Sequence, residues 1–279
     1  MKFPKKAGIL DDYHSLERML KLAIERNEKT FIDYSLNLLH QSYAGCEFWT
    51  YRDFNKEAIN ILFSRKFKLG FIPIPKNACT SLKHLLYKLD FGRDFPFPSL
   101  DIHEYFQYPA YEIQDILRFF SDYSICCFLR DPIKRFISGY ADKICDKKVL
   151  ISIDNSKNKF YGIEDIELLT SESFILDFLD NLEFYMKISI DVKHHFSLQT
   201  SFLQGVDKVK DLIIFFYIPD DLKVFEEWLF EKTQIKLSLP KVNESIVKFE
   251  ISNKEIIDKI KNIYEKDYLF IRRLKNIQT

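Results

Sequence analysis

From Lys66 onward the chain alternates short, solid apolar runs with longer stretches whose apolar residues recur every three or four positions. The run KFKLGFIPI reads as a strand closed by Pro73 and Pro75. Leu82, Leu85, Leu86 and Leu89 then follow at i, i+3, i+4 and i+7, the spacing of one helix face. Gly92, Pro96 and Pro98 break the chain, and residues 111–121 carry a helical pattern. YSICCFL at 123–129 reads as a buried strand, in which the adjacent Cys126 and Cys127 must face opposite ways. Asp131 and Pro132 supply an N-cap and a proline at the first helical position, and Ile133, Phe136, Ile137, Tyr140 and Ile144 continue that helix. A helix near 171–182, a strand over 212–218, a helix over 220–232 and a final helix over 253–274 complete the pattern. Strands that alternate with helices predict an α/β domain with a mostly parallel sheet covered on both faces. Upstream, Leu16, Met19, Leu20 and Ala23, and then Phe31, Tyr34, Leu38 and Leu39, recur at helical spacing. Residues 1–63 are therefore expected to form an N-terminal helical extension on a main domain spanning 64–279.

Composition narrows the function. The 279 residues are 47% hydrophobic and 16% aromatic, which marks a folded chain with a substantial core. Lys and Arg total 41, as do Asp and Glu, so a nucleic-acid partner is not expected and any anion site must be local. The five cysteines, Cys46, Cys79, Cys126, Cys127 and Cys145, form no CxxC or CxxH pair and read as reduced packing thiols. The N-terminus lacks the apolar core of a signal peptide, and no apolar run reaches the roughly 18 residues of a membrane span, so a cytoplasmic protein without a transmembrane segment is expected.

Two strand-to-helix junctions carry the candidate chemistry. The first is Pro75-Lys76-Asn77-Ala78-Cys79-Thr80-Ser81. A helix start presents unpaired N–H groups and a positive dipole end, Thr80 and Ser81 add hydroxyl donors, and Lys76 adds a cation. The Gly-rich loop GxxxxGK[ST] is absent, since no glycine lies between Gly70 and Gly92. A tight loop of this kind suits one phosphate better than a triphosphate. The second junction runs from Arg130 through Asp131-Pro132 to Ser138 and Tyr140. Arg130 ends a buried strand, at the sheet edge where α/β ligands bind, and guanidinium matches phosphate geometry. Taken singly, each junction also fits ordinary helix capping or a local ion pair.

Together they resemble the elements that bind 3′-phosphoadenosine 5′-phosphosulfate (PAPS) in the carbohydrate sulfotransferases of the Golgi-membrane type (sulfotransferase family 2) and their soluble bacterial relatives. The segment 75–81 is similar to that family's PKxACTS-like loop, and 130–140 to its RDPxxRxxSxY-like element. Further on, His195-Phe196-Ser197-Leu198-Gln199 resembles an HWxPQ segment with Phe196 and Leu198 substituted. Residues 239–245 resemble LPHVNxS with Lys241 in place of His. The resemblance spans about 66–272 and implies a P-loop-like three-layer α/β/α fold.

It also implies in-line transfer of a sulfuryl group to a hydroxyl of a carbohydrate or glycolipid acceptor, such as a bacterial polysaccharide precursor, with PAP as product and no metal required. By the same resemblance Lys76 stabilises the leaving oxygen. Asn77, Ala78, Cys79, Thr80 and Ser81 line the 5′-phosphosulfate site, and Arg130 and Ser138 hold the 3′-phosphate. His103 lies between the junctions, where the family places its base, and imidazole titrates near neutrality. Glu104 is the alternative, and His84 falls on the polar face of the leucine-striped helix. His195 and Gln199 are expected to face the acceptor. A nucleoside-triphosphate kinase and a non-catalytic nucleotide- or glycan-binding protein of the same fold are the competing readings.

Overall fold

The computed structural model describes residues 18–26, 28–29, 32, 58–64, 66–98, 100–106, 110–242 and 245–277. Six strands are found among them: β1 (Ala58–Asn60), β2 (Leu62–Ser64), β3 (Leu69–Ile72), β4 (Ala110–Glu112), β5 (Ser124–Arg130) and β6 (Ile213–Ile218). The central sheet runs β2-β3-β5-β6. β3, β5 and β6 are parallel, and β2 is an antiparallel edge. β1 and β4 form a separate antiparallel pair.

Eleven helices are labelled: α1 (Cys79–Phe91), α2 (Ile102–Tyr105), α3 (Ile113–Phe119), α4 (Pro132–Gly139), α5 (Ile166–Leu169), α6 (Glu172–Asp180), α7 (Leu182–Ile188), α8 (Ile190–Phe196), α9 (Leu222–Thr233), α10 (Lys254–Ile263) and α11 (Glu265–Ile277). Residues 18–25 are also helical.

Strand period and helix stripe together build the layers. In β5, Cys126 and Phe128 enter one core with the leucines of α1 and with Phe225, Trp228 and Leu229 of α9. Ile125, Cys127 and Leu129 enter the opposite core with Ile113 and Ile116 of α3 and Ile271 of α11. The two cysteines thus lie on opposite faces, as the period of two requires. A third core lies among helices, where Phe136, Tyr140 and Ile144 meet Phe178, Tyr185, Phe196 and Ile260.

Several element assignments differ from the sequence expectation. Residues 58–60 and 62–64 are strands and not part of a helical extension, and β2 joins the main sheet. Apart from residues 18–26, 28–29, 32 and 58–63, that segment lies outside the described residues. The helix expected over 111–121 begins as strand β4, and that over 253–274 is two helices with Tyr264 between them. The helix started by Asp131 and Pro132 is α4, but it continues as a π-helical stretch over Tyr140–Asp146. Among the described residues, no helix is long and apolar enough to cross a membrane.

For the site, one consequence matters most. β3 and β5 are parallel neighbours with Ile72 opposite Cys127. Their carboxyl ends therefore open side by side, and the two junctions that follow them share one edge of the sheet.

Candidate active site

A cleft of about 1060 Å³ occupies that edge. Its lining includes Lys76, Ala78, Cys79, Thr80, Ser81, His103, Arg130, Ser138 and His195, nine of the eleven residues singled out from sequence.

The first junction is tight without glycine. Lys76 (φ 66°) and Ala78 (φ 59°) both adopt the left-handed region, which non-glycine residues enter at a cost. The surroundings hold them there. Asn77 N donates to Ile74 O at 3.1 Å. Arg130 Nη1 donates to Lys76 O at 3.1 Å and Arg135 Nε to Pro75 O at 3.0 Å. Two guanidiniums from the second junction thus grip two carbonyls of the first. Ala78, the N-cap of α1, has no side chain to cap with, and the first turn carries no acidic residue. The first turn of α1 thus carries no side-chain cap from its N-cap residue and no carboxylate, and the Thr80 and Ser81 side chains stand beside it at the cleft.

The second helix start works differently. Asp131 caps α4 by accepting from Lys134 N at 2.9 Å, so a carboxylate already occupies that helix end. The Arg130 and Ser138 side chains of this junction line the cleft.

Two sequence-selected residues do not reach the cleft. Asn77 is 1% exposed, and its Nδ2 donates to Phe128 O at 2.8 Å and to Gln199 Oε1 at 2.6 Å. Gln199, expected to face the acceptor, is likewise 1% exposed. Its Oε1 also accepts from Arg130 N at 3.1 Å, its Nε2 donates to Arg130 O at 2.9 Å, and its backbone N donates to Asp267 at 2.8 Å. Burial and these hydrogen bonds make Gln199 a clamp between the junctions. Glu104, the alternative base, is exposed and is not part of the cleft lining, and His84 instead packs on Phe95.

His103 sits in α2, whose N-cap Asp101 accepts from His103 N at 2.8 Å. Its Nε2 lies 2.9 Å from Thr80 Oγ1 and its Nδ1 3.0 Å from Lys83 Nζ. Burial first, and then Lys83, push the imidazole down to about 4, so it is neutral at physiological pH. His195 Nδ1 lies 2.8 Å from Asp191 O, and since a carbonyl only accepts, Nδ1 carries the proton and Nε2 the lone pair. Burial and Lys143 lower this ring to about 3.

Sequence reasoning missed a charged group beside Lys76. Lys76 Nζ is 3.1 Å from Asp142, which also lies 3.7 Å from Lys143 and 3.6 Å from Lys147. Burial opposes the Asp142 carboxylate, but the three lysines together hold it below its ordinary range. Asp142, Lys143 and Lys147 follow Ser138 at the far end of the same helical run, and only the π-helical stretch turns them toward Lys76. His194 is exposed and also lines the cleft, as do Lys241 and Phe249 of the C-terminal segment. Asn243 lies outside the described residues.

Residues 60–171 match the family model described as "Sulfotransferase family". The match covers both junctions and His103. Comparisons with curated proteins and with solved structures find no match.

Proposed function

We propose that the protein is a PAPS-dependent sulfotransferase whose acceptor is a hydroxyl of a carbohydrate or glycoconjugate. The observation that carries this reading is the convergence of the α1 helix start, Lys76, Arg130, Ser138 and His103 on one cleft.

A bisphosphorylated nucleotide needs two separate anion sites, and the two junctions supply them by different means. Residues 78–81 offer backbone and hydroxyl donors to the 5′-phosphosulfate, and Arg130 with Ser138 offers a charged and a neutral donor to the 3′-phosphate. Lys76, oriented by Asp142, neutralises charge on the bridging oxygen as the S–O bond breaks. His103 Nε2, beside Thr80 on the sulfuryl side of the cleft, takes the acceptor proton as the new O–S bond forms. His195 Nε2 accepts from an acceptor hydroxyl and orients it. Such a displacement depends on positioning and charge stabilisation, as phosphoryl transfer does, and no step above calls on a metal.

Calorimetric titration with 3′,5′-ADP, 5′-AMP and ATP tests the donor site. The expected outcome is selective binding of 3′,5′-ADP that weakens roughly 10- to 150-fold in Arg130→Ala, the equivalent of about 1.5–3 kcal/mol for a charged hydrogen bond. Tight ATP binding with no preference for a 3′-phosphate would overturn the assignment in favour of a nucleoside-triphosphate enzyme.

A further inference from the structure

We propose that Lys83 is a positioning residue for His103: its buried amine accepts the Nδ1 proton of the imidazole and so leaves Nε2, the nitrogen beside Thr80, with the lone pair a base needs. The proposal rests on the assignment of His103 as that base.

Lys83 lies one turn after Thr80 on α1 and is fully buried, a rare place for a lysine. Its Nζ is 3.0 Å from His103 Nδ1 and donates to Phe106 O at 2.9 Å. The direction of the Lys83–His103 hydrogen bond decides what His103 can do. An ammonium has three donors and no acceptor. It therefore forces Nδ1 to accept and puts the imidazole proton on Nε2, where it points at Thr80 Oγ1 and no lone pair faces the cleft. A neutral amine is a good acceptor, so Nδ1–H donates to it and Nε2 keeps its lone pair. That lone pair accepts from Thr80 Oγ1–H here and is the base once an acceptor hydroxyl takes that place.

Burial lowers Lys83 to about 7, with Cys79 and Asp101 pulling it the other way. Both states are thus accessible near neutrality. The other charged and titratable groups acting on the pair are Lys143 and Lys147 from the π-helical stretch and His194 from α8. The two lysines favour loss of the proton from His103.

The proton balance closes. As the acceptor oxygen bonds to sulfur and the donor S–O bond breaks, the hydroxyl proton passes to Nε2. The imidazolium then gives its Nδ1 proton to Lys83 Nζ, which leaves a neutral Nε2–H ring and an ammonium. Loss of one proton to solvent after product release restores the starting pair.

The test follows the ring nitrogens of His103 by 15N NMR in the full-length protein between pH 5.5 and 9, with the signals assigned by their loss in His103→Gln. The expected result is an Nε2–H tautomer at low pH that crosses to Nδ1–H near pH 7, and no crossover in Lys83→Met. One tautomer throughout in the wild type would overturn the proposal, and that reading stands even if Lys83→Met fails to fold. An unchanged crossover in a folded Lys83→Met would overturn it equally. The spectra need neither donor nor acceptor. A crossover without 3′,5′-ADP binding would thus sink the sulfotransferase reading and keep the pair, and binding without a crossover would do the reverse.

Discussion

At the scale of single residues, the sequence exposes groups whose chemistry is local and hides groups whose role depends on burial. Lys76, Thr80, Ser81 and Arg130 are legible as sheet-edge residues because each stands at a helix start or at or just past a strand end, whereas Ser138 lies near the end of α4 and reaches the cleft through the helix face it occupies. Gln199 is not legible, because nothing in HFSLQ reveals that its amide lies 1% exposed between two loops. Arg135 stands in the same motif as Arg130 but is drawn inward, where it bonds Pro75 O and Ser197 O. Lys83 falls in the leucine-striped helix and reads as a solvated lysine until its zero exposure is seen. The buried clamp gives a stability prediction. Gln199→Leu removes the side-chain partners of Arg130 N and Arg130 O and one of the two acceptors of Asn77 Nδ2. Buried polar groups left unpaired cost about 1–3 kcal/mol each, partly offset by local relaxation, so a loss of about 2–4 kcal/mol is expected in urea unfolding. A loss below about 1 kcal/mol would mean that the clamp is not what fixes the junctions.

At the scale of elements, long apolar runs and strong stripes are read correctly, and short or context-dependent pieces are not. β5, α1 and β6 appear close to their expected bounds because each carries its own hydrophobic period. β1 and β2 are three residues each, too short to show a period of two, and only pairing with β4 and β3 makes them strands. The π-helical stretch has no signature in YADKICD, yet it carries Asp142 to Lys76. Strand packing also explains a glycine. A Cβ on Gly70 of β3 would stand 2.9 Å from Ile125, 3.0 Å from Phe63 and 3.1 Å from Ile61, so β3 can lie between these side chains only without one. Gly70→Ala is therefore expected to lower stability by about 1–3 kcal/mol through overpacking, although alanine is the better residue for an unstrained strand. Equal or greater thermal stability of the variant would show that the sheet yields at no cost.

At the scale of the whole molecule, charge is balanced by count and segregated in space. The 41 basic and 41 acidic side chains cancel, yet the cleft lining holds seven Lys and Arg side chains against four carboxylates. That local excess gives the cleft a positive field in an otherwise neutral protein, as the proposed anionic donor needs. It also acts on the histidines. His84, His103, His194 and His195 are all lowered from their ordinary value, first by burial. Lysines of the cleft push the last three further in the same direction. The consequence for folding has a definite sign. In the unfolded chain these rings take up protons as pH falls through about 6.5. In the folded protein His103 resists until about 4 and His195 until about 3. Across that window the unfolded state binds more protons, so the stability these histidines contribute is fully present above about pH 6.5 and is lost as pH falls toward 4. The depressed Asp142 adds a further loss only below the ordinary carboxylate range. Urea unfolding midpoints should thus drop between pH 7 and pH 5, before the carboxylates titrate, and the drop should shrink in His195→Asn. A midpoint that holds level down to pH 5 would mean that the folded histidines protonate as readily as unfolded ones, and that burial and the cleft lysines do not keep them neutral.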